Sequence, residues 1–317
     1  MPRFLGIDTS NYTTSVAVFD SGSGEYVHSR RLLKVKKGQG GLRQSDAVFG
    51  HTVNLPEVID ELNKRCSLSE GIAAVGVSAS PRRVEGSYMP CFLCGEACAA
   101  AFASALKVPV MKFSHQEGHI MAAVCSAGAA ELAEEPFCAL HLSGGTTELL
   151  YVEPCGDGFK AGIIGGTKDI NAGQLIDRVG LMLGMDFPCG AELDKLAASA
   201  GSCGTRIRAR AENGFFNLSG FENLAKKLLE DTNDRAAAAR FTLDAIACSI
   251  EAMLGTVPEK YRGLPLVFAG GVMGSRVLRE RFGALENAYF ASGELSGDNA
   301  VGTAMLAARS YMRNRDD

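Results

Sequence analysis

The sequence has no apolar run approaching the roughly 20 residues that a membrane-spanning helix needs. Its hydrophobic stretches, such as Cys138 to Leu142 and Leu264 to Ala269, are short and strand-like. No secretory leader is expected, because the N-terminal Met-Pro-Arg-Phe-Leu-Gly-Ile-Asp meets an acid by position eight. There is no excess of positive charge, and a net charge of −4 does not announce nucleic-acid binding. The His-Glu-x-x-His order is also missing, which excludes the general base of a zinc protease of that type. These absences point to a cytoplasmic protein with no membrane partner.

What is present is 317 residues, 46% hydrophobic and 21% charged, the balance of an ordered globular protein. That length is too great for one comfortable core and fits two lobes. Ten cysteines lie inside apolar segments, so reduced thiols acting as small core hydrophobes are expected. Cys91, Cys94 and Cys98 form the densest group. They are either a metal site or three thiols on one buried helix face, as spacings of three and four allow. Arg30, Arg31, Lys34, Lys36, Lys37 and Arg43 share one glycine-punctuated stretch, either a phosphate-pairing patch or a solvated face.

The chain opens with an apolar strand ending at Asp8, a turn rich in hydroxyls over 9–14, and a second strand to Asp20, hence a hairpin. A helix is expected at about 54–65, a strand at 73–78, and an alanine-rich helix near 95–106. A second hairpin with the same character follows, with strands 138–142 and 148–152 around Ser143-Gly-Gly-Thr-Thr147. Helical patterns cover about 169–183, 191–200 and 234–254. After the strand 264–269 and the turn Gly270-Gly271, a last helix runs over about 299–313. Asp298 sits where its N-cap belongs, and Gly302, Ala304, Ala307 and Ala308 suit close packing. This order of elements predicts an α/β architecture of two lobes around a cleft.

Ser114-His-Gln-Glu-Gly-His119 is the most informative stretch. Ser114 and Glu117 fit a capping box, which starts a helix at His115. Residues four apart share a helix face, so His115 and His119 point the same way and suit one ion. The alternative is two half-exposed histidines near a helix start. The glycines of Ser143-Gly144-Gly145-Thr146 would let backbone amides approach an anion, or simply close a tight hairpin. Gly270 and Gly271, followed by Ser275, form a turn between strand and helix that suits a base or phosphate.

Taken together and in order, these segments resemble one family, the universal tRNA threonylcarbamoyladenosine transferases known as TsaD in bacteria and Kae in archaea and eukaryotes. The resemblance rests on Leu5-Gly-Ile-Asp-Thr-Ser10, the His-x-x-x-His pair, the Ser-Gly-Gly-Thr-Thr turn and Asp169-Ile-Asn-Ala-Gly-Gln-Leu-Ile-Asp177. Pro188-Cys-Gly190, Ala269-Gly-Gly-Val272 and Gly297-Asp298-Asn299 complete it. It implies a two-lobed actin/sugar-kinase-like (ribonuclease H-like) fold with a nucleotide cleft. Residues 1–110 would form the N-terminal lobe, with the helix 299–317 packed back on it. Residues 111–298 would form the C-terminal lobe, carrying metal and nucleotide.

The resemblance also implies a divalent iron or zinc ion on His115, His119 and Asp298. His141 would join them from the position of a tyrosine in archaeal members, unless it simply packs in its strand. An ATP- or AMP-type nucleotide would lie on Ser143, Gly144, Gly145, Thr146, Asp177, Gly190, Asp194, Gly270, Gly271 and Ser275. Asp8 and Ser10 would act at the reacting centre. The implied reaction moves a threonylcarbamoyl group from its AMP adduct to the exocyclic amine of an adenosine beside a tRNA anticodon. Accessory proteins similar to TsaB and TsaE would be partners.

The chain departs from the family pattern in four places. Asn11-Tyr12-Thr13 stands where members carry Cys-Asp-Glu, and Arg43-Gln-Ser-Asp-Ala-Val-Phe49 replaces Val-Pro-Glu-Leu-Ala-Ser-Arg. Ser80-Pro-Arg-Arg-Val-Glu-Gly86 replaces a Gly-Pro-Gly loop, and Ser275 replaces an asparagine. Metal and phosphate positions are kept while those nearer the substrate differ. Three readings follow: a tRNA threonylcarbamoyl transferase, a related carbamoyl- or phosphoryl-transfer enzyme on another substrate, and a non-catalytic nucleotide-binding paralogue serving as partner or regulator.

Overall fold

A computed structural model of the chain describes residues 1–10, 12–34, 42–201 and 203–316. Asn11 of the first turn, and Lys36 and Lys37 of the basic stretch, lie outside the described residues. In chain order the elements are β1 (Arg3–Asp8), β2 (Thr13–Asp20), β3 (Tyr26–Leu32), α1 (Gln44–Arg65), β4 (Ile72–Ser80), α2 (Phe92–Leu106), β5 (Val110–Ser114) and α3 (His115–Ser126). There follow β6 (Phe137–Leu142), β7 (Thr147–Cys155), β8 (Gly158–Thr167), α4 (Ala172–Met182), α5 (Gly190–Ser199), β9 (Ala211–Glu212) and β10 (Phe215–Phe216). Then come α6 (Ser219–Thr232), α7 (Arg235–Thr256), β11 (Leu266–Ala269), α8 (Arg276–Phe282), β12 (Ala288–Phe290) and α9 (Val301–Asp316).

Packing divides the chain into two compact units. The first holds Met1–Ser126, Pro154–Lys160 and Leu295–Asp317, and the second holds Ala127–Glu153 and Ala161–Glu294. The division differs from a boundary at residue 110, because β5 pairs in parallel with β4 and α3 packs on α9. His115, His119 and Asp298 therefore fall in the first unit, while the Ser143–Thr147 turn falls in the second.

The first unit carries a five-stranded sheet in the order β3-β2-β1-β4-β5. The expected hairpin is there: β1 and β2 pair antiparallel from Arg3↔Asp20 to Asp8↔Ser15. Five of the six residues of β1 are buried, as fits a central strand covered on both faces. Helix α1 begins ten residues before the expected start. Reading it from Asn54 puts Pro56 in the first turn, where a missing N–H costs nothing. The actual helix runs through Pro56, because Ala47, His51, Leu55, Val58 and Leu62 form one continuous buried stripe at helical spacing. Burial of that stripe outweighs the single lost hydrogen bond.

Helix α9 packs on β1, β4 and α3, with Ala304, Ala307 and Ala308 all buried. A Cβ on Gly302 would stand 1.9 Å from the Gly118 carbonyl oxygen of α3. Glycine is thus what lets the two helix backbones touch. The N-cap expected of Asp298 is not formed, since the helix starts only at Val301. Its first amides are met instead by Ser15 Oγ, 2.9 Å from Ala300 N, and Asn299 Oδ1, 3.0 Å from Val301 N. The Asp298 carboxylate is thereby left for other partners.

The second unit carries a seven-stranded sheet in the order β12-β11-β6-β7-β8-β10-β9. The hairpin of β6 and β7 is antiparallel, and β11 pairs in parallel with β6, bringing Ala269 opposite His141. Its core gathers Leu140, Leu149, Leu175, Val179, Phe241, Ile246 and Phe268. Among the described residues no helix is long and apolar enough to cross a membrane.

Candidate metal and nucleotide sites

Strand β5 runs directly into α3, so Ser114 ends one element and His115 opens the next. The capping box forms as expected. Glu117 Oε2 accepts from Ser114 N at 2.7 Å and Ser114 Oγ at 2.8 Å, and Ser114 Oγ lies 3.3 Å from Glu117 N. Glu117 also accepts from Phe159 N at 2.9 Å and faces Arg83 at 3.4 Å. It is buried and fully engaged in holding the helix start, so it serves structure rather than proton transfer.

The two imidazoles converge. His115 Nε2 and His119 Nε2 are 2.9 Å apart, with Asp298 Oδ1 3.2 Å from the second and 3.6 Å from the first. An ion bound at roughly 2.0–2.2 Å by nitrogen and oxygen ligands holds adjacent ligand atoms about 3.0–3.4 Å apart. These three atoms already stand near that spacing. Among the described residues they form the one group of this kind with metal-ligand geometry. Two imidazoles and a carboxylate suit iron or zinc and leave coordination positions for a substrate.

Asp8 stands behind this set. Its Oδ2 lies 2.7 Å from His115 Nδ1 and accepts from Ser78 Oγ at 2.7 Å, while Oδ1 accepts from Ser10 N at 2.8 Å. A carboxylate on Nδ1 keeps that nitrogen protonated and presents Nε2 as the lone-pair atom. Burial disfavours charge on Asp8, but the charge and hydrogen bond of His115, with the Ser10 and Ser78 bonds, hold its carboxyl down at about 2. Burial likewise disfavours a charged His115 ring, yet the carboxylates of Asp8 and Asp298 push it up to about 10. Asp298 is half-buried; partial burial disfavours its charge, but its two histidine neighbours hold it well below the usual carboxylate range. The same negative potential that retains a proton here favours a cation. Thr13 Oγ1 completes the surroundings, 3.4 Å from Asp298 Oδ2. Ser10 has a buried Oγ with no hydrogen-bond partner among the described residues.

His141 belongs to the second unit, half-buried on β6 and opposite Glu148 and Ala269. It is not part of the three-residue group. In the same unit a cavity of about 470 Å³ is lined by Ser143, Gly144, Asp177, Gly190, Asp194, Gly271 and Ser275, together with Gly173, Ile176 and Leu243. Seven of the ten expected nucleotide residues therefore meet around one space. The N-terminus of α4 abuts the loop, with Gly173 N donating to Ser143 O at 3.1 Å, and a helix start favours anions.

Gly145, Thr146 and Gly270 do not line that cavity. The amides of Gly145 and Thr146 are taken up by Ser143 Oγ at 3.2 and 3.0 Å, so the turn is closed upon itself there. Gly270 has φ of 95°, and a Cβ on it would meet Leu142 O at 2.2 Å. Its glycine is required by the backbone. Asp177 accepts from Cys189 N at 2.9 Å. Asp194 accepts from Arg276 N at 3.0 Å, Val277 N at 3.3 Å and the Ser275 hydroxyl, and so binds the start of α8.

The family model described as "TsaD: tRNA N6-adenosine threonylcarbamoyltransferase" matches residues 25–305. The chain belongs to this family. It is accordingly a transferase. A tRNA N6-adenosine threonylcarbamoyltransferase of Streptococcus gordonii is 33% identical over 293 residues, covering 88% of this chain and 83% of the relative. One from Streptococcus suis is 30% identical over 321 residues, covering 97% and 92%. The crystal structure of T. kodakarensis HypF aligns with a TM-score of 0.56 at 13% identity, over 99% of this chain and 48% of that one. The fold is of the actin and sugar-kinase class.

In three features of this TsaD-family chain the role of the residues comes from the fold rather than from their place in the sequence. Ser78 and Thr13, which brace Asp8 and Asp298, are ordinary strand residues until the fold places them. Asp169 looks like part of a helix pattern but precedes α4, accepting from Leu218 N, Ser219 N and Ile170 N. The cysteine group also divides. Cys91 packs with Leu33, Ala47 and Phe92, while Cys94 and Cys98 pack against the main core of the first unit, because α2 starts only at Phe92 and leaves Cys91 outside its first turn. All ten cysteines are free thiols.

Proposed function

We propose that the chain transfers a threonylcarbamoyl group from threonylcarbamoyl-AMP to the exocyclic amine of an adenosine beside the anticodon of tRNA. The observation that carries this reading is the convergence of His115, His119 and Asp298, backed by Asp8, in a chain of this family. A divalent iron or zinc ion on these three residues would supply Lewis-acid stabilisation of charge on the adduct's phosphate and acyl oxygens. Asp8 orients His115 as a positioning residue. Ser10, whose amide is tied to Asp8, lies in the same turn with a buried hydroxyl. The cavity bounded by Ser143, Gly144, Asp177, Gly190, Asp194, Gly271 and Ser275 would hold the AMP half of the donor, or ATP. Fixing that half turns attack by the acceptor amine into a nearly unimolecular step.

The test supplies the purified chain with unmodified tRNA, threonine, bicarbonate, ATP and accessory proteins similar to TsaB and TsaE. Threonylcarbamoyl-adenosine in the digested tRNA is the expected product. Its absence beside an active control enzyme refutes the reading. A second reading, a transferase acting on another substrate, is favoured by one observation. Thr13, standing where the family carries a glutamate, places a neutral hydroxyl rather than a carboxylate against Asp298. Product from a non-tRNA acceptor under the same conditions would support it.

A further inference from the structure

Between α5 and the β9–β10 hairpin the second unit presents an extended segment whose residues alternate. Ile207, Ala209 and Ala211 pack against the core, as does Cys203. Arg206, Arg208 and Arg210 point the other way and are exposed. In extended backbone every second residue faces the same side, with about 6–7 Å between successive members. Three guanidiniums thus form a row whose position is fixed by the apolar residues between them. No ion pair involves any of the three among the described residues. The contrast with the basic stretch after β2 is direct: there, Arg31 is paired with Glu57 and Glu61.

Beside the row lies a cavity of about 550 Å³ lined by Arg208, Arg210, Lys168, Glu212 and the aromatic rings of Phe215 and Phe221. Asn213 and Gly214, with φ of 52° and 84°, form the tight turn that folds Phe215 back beside Glu212. Phe215 is half-buried, with Lys168 Nζ 5.9 Å from its ring centre. Leu224 adds a side chain that is 51% exposed. Three cations, Lys168, Arg208 and Arg210, face one carboxylate, Glu212, beside the half-buried Phe215 ring.

We propose that this surface docks a single-stranded part of tRNA, with phosphates on Arg206, Arg208, Arg210 and Lys168 and an unpaired base over Phe215. Cations in a row with an adjoining aromatic are the combination that single-stranded nucleic acid requires. The proposal rests on the reading of tRNA as the acceptor. It adds a second place of contact, separate from the residues that would hold metal and nucleotide.

The experiment measures binding of a fluorescently labelled, unmodified tRNA transcript to the full chain by anisotropy at several salt concentrations. Each lost phosphate contact lowers the steepness of log K against log salt by about 0.7–0.9. Replacing Arg206, Arg208 and Arg210 together by Gln should flatten that slope by about 2–3 and weaken binding on the order of tenfold to a hundredfold at 0.1 M salt. Replacing the same three by Lys should keep most of the slope, which separates charge from misfolding. Phe215→Leu should weaken binding several-fold without changing the slope, and Glu212→Gln should tighten it. Wild-type affinity and slope in the triple Gln variant would overturn the proposal and leave the row to an acidic protein partner. Product formation is assayed in parallel. If product forms while the triple Gln variant binds normally, the surface is wrong and the function stands. If the salt slope changes as expected but no product forms, the function is wrong and the surface stands.

Discussion

Replacing Gly302 by alanine tests the link between helix packing and the metal set. The added Cβ would lie 1.9 Å from Gly118 O and 2.9 Å from Ala122 N, all backbone atoms that cannot rotate away. An ordinary carbon–oxygen contact is about 3.3 Å, so α9 and α3 must separate by roughly 1.4 Å. His119 rides on α3 and Asp298 stands three residues before α9. Their 3.2 Å contact would open towards about 4.6 Å, beyond the roughly 4.2 Å that two ligands of one ion can span. Overpacking of this kind costs about 1–3 kcal/mol of stability. A displacement near 1 Å at a reacting centre can lower activity about a hundredfold. Thermal unfolding, metal content after dialysis and the tRNA modification rate would all be measured. The control is Gly255→Ala on α7, whose Cβ meets nothing within 4 Å, and which should be neutral or stabilise by about 0.4–1 kcal/mol. A Gly302→Ala variant that keeps wild-type metal content and melting would refute the reasoning.

Asp8→Asn should lower metal affinity by about 10–100-fold while the chain stays folded. An amide facing Nδ1 removes the acceptor that keeps the proton there and favours the tautomer with its proton on Nε2, the atom aimed at the ion; titration of the dialysed protein with zinc reads this. His115→Ala should abolish stoichiometric metal, and unchanged metal analysis would remove the metal site altogether. Asp169→Asn should destabilise the second unit by about 1–2 kcal/mol, because Asp169 serves the first amides of α6. Burial opposes its charge, but the Leu218 and Ser219 bonds outweigh this and hold the carboxyl at about 2 instead of 3.8. A depressed folded-state value means its stabilisation is complete above the unfolded value and lost as pH falls through the folded one. The melting difference between wild type and variant should therefore narrow as pH is lowered from about 5 towards about 2, and a gap that stayed constant would count against the carboxylate.

Hairpins, helices and the capping box were legible because each depends on near neighbours in the chain. The apolar runs 4–8 and 15–20, the polar turn between them, and the Ser114–Glu117 spacing are local rules. Helix α1 extends ten residues before the expected start because the buried stripe from Ala47 to Leu62 depends on packing against distant parts of the chain. For Asp298, proximity in the chain suggests only a cap, and its place as a ligand comes from the family motif.

By itself, the amino-acid order determined the α/β class, the family, the shared face of His115 and His119, and most residues around the nucleotide cavity. Those depend on periodicity and motif, which are properties of short segments. Tertiary structure alone decided that Asp8 stands behind His115, and it brought Asp298, which the resemblance had implied as a ligand, within 3.2 Å of His119 across 179 residues. It also decided that Gly145, Thr146 and Gly270 serve the backbone rather than the cavity. Such placements follow from close packing of helices and sheet, where a single methyl group at Gly302 is enough to forbid the approach.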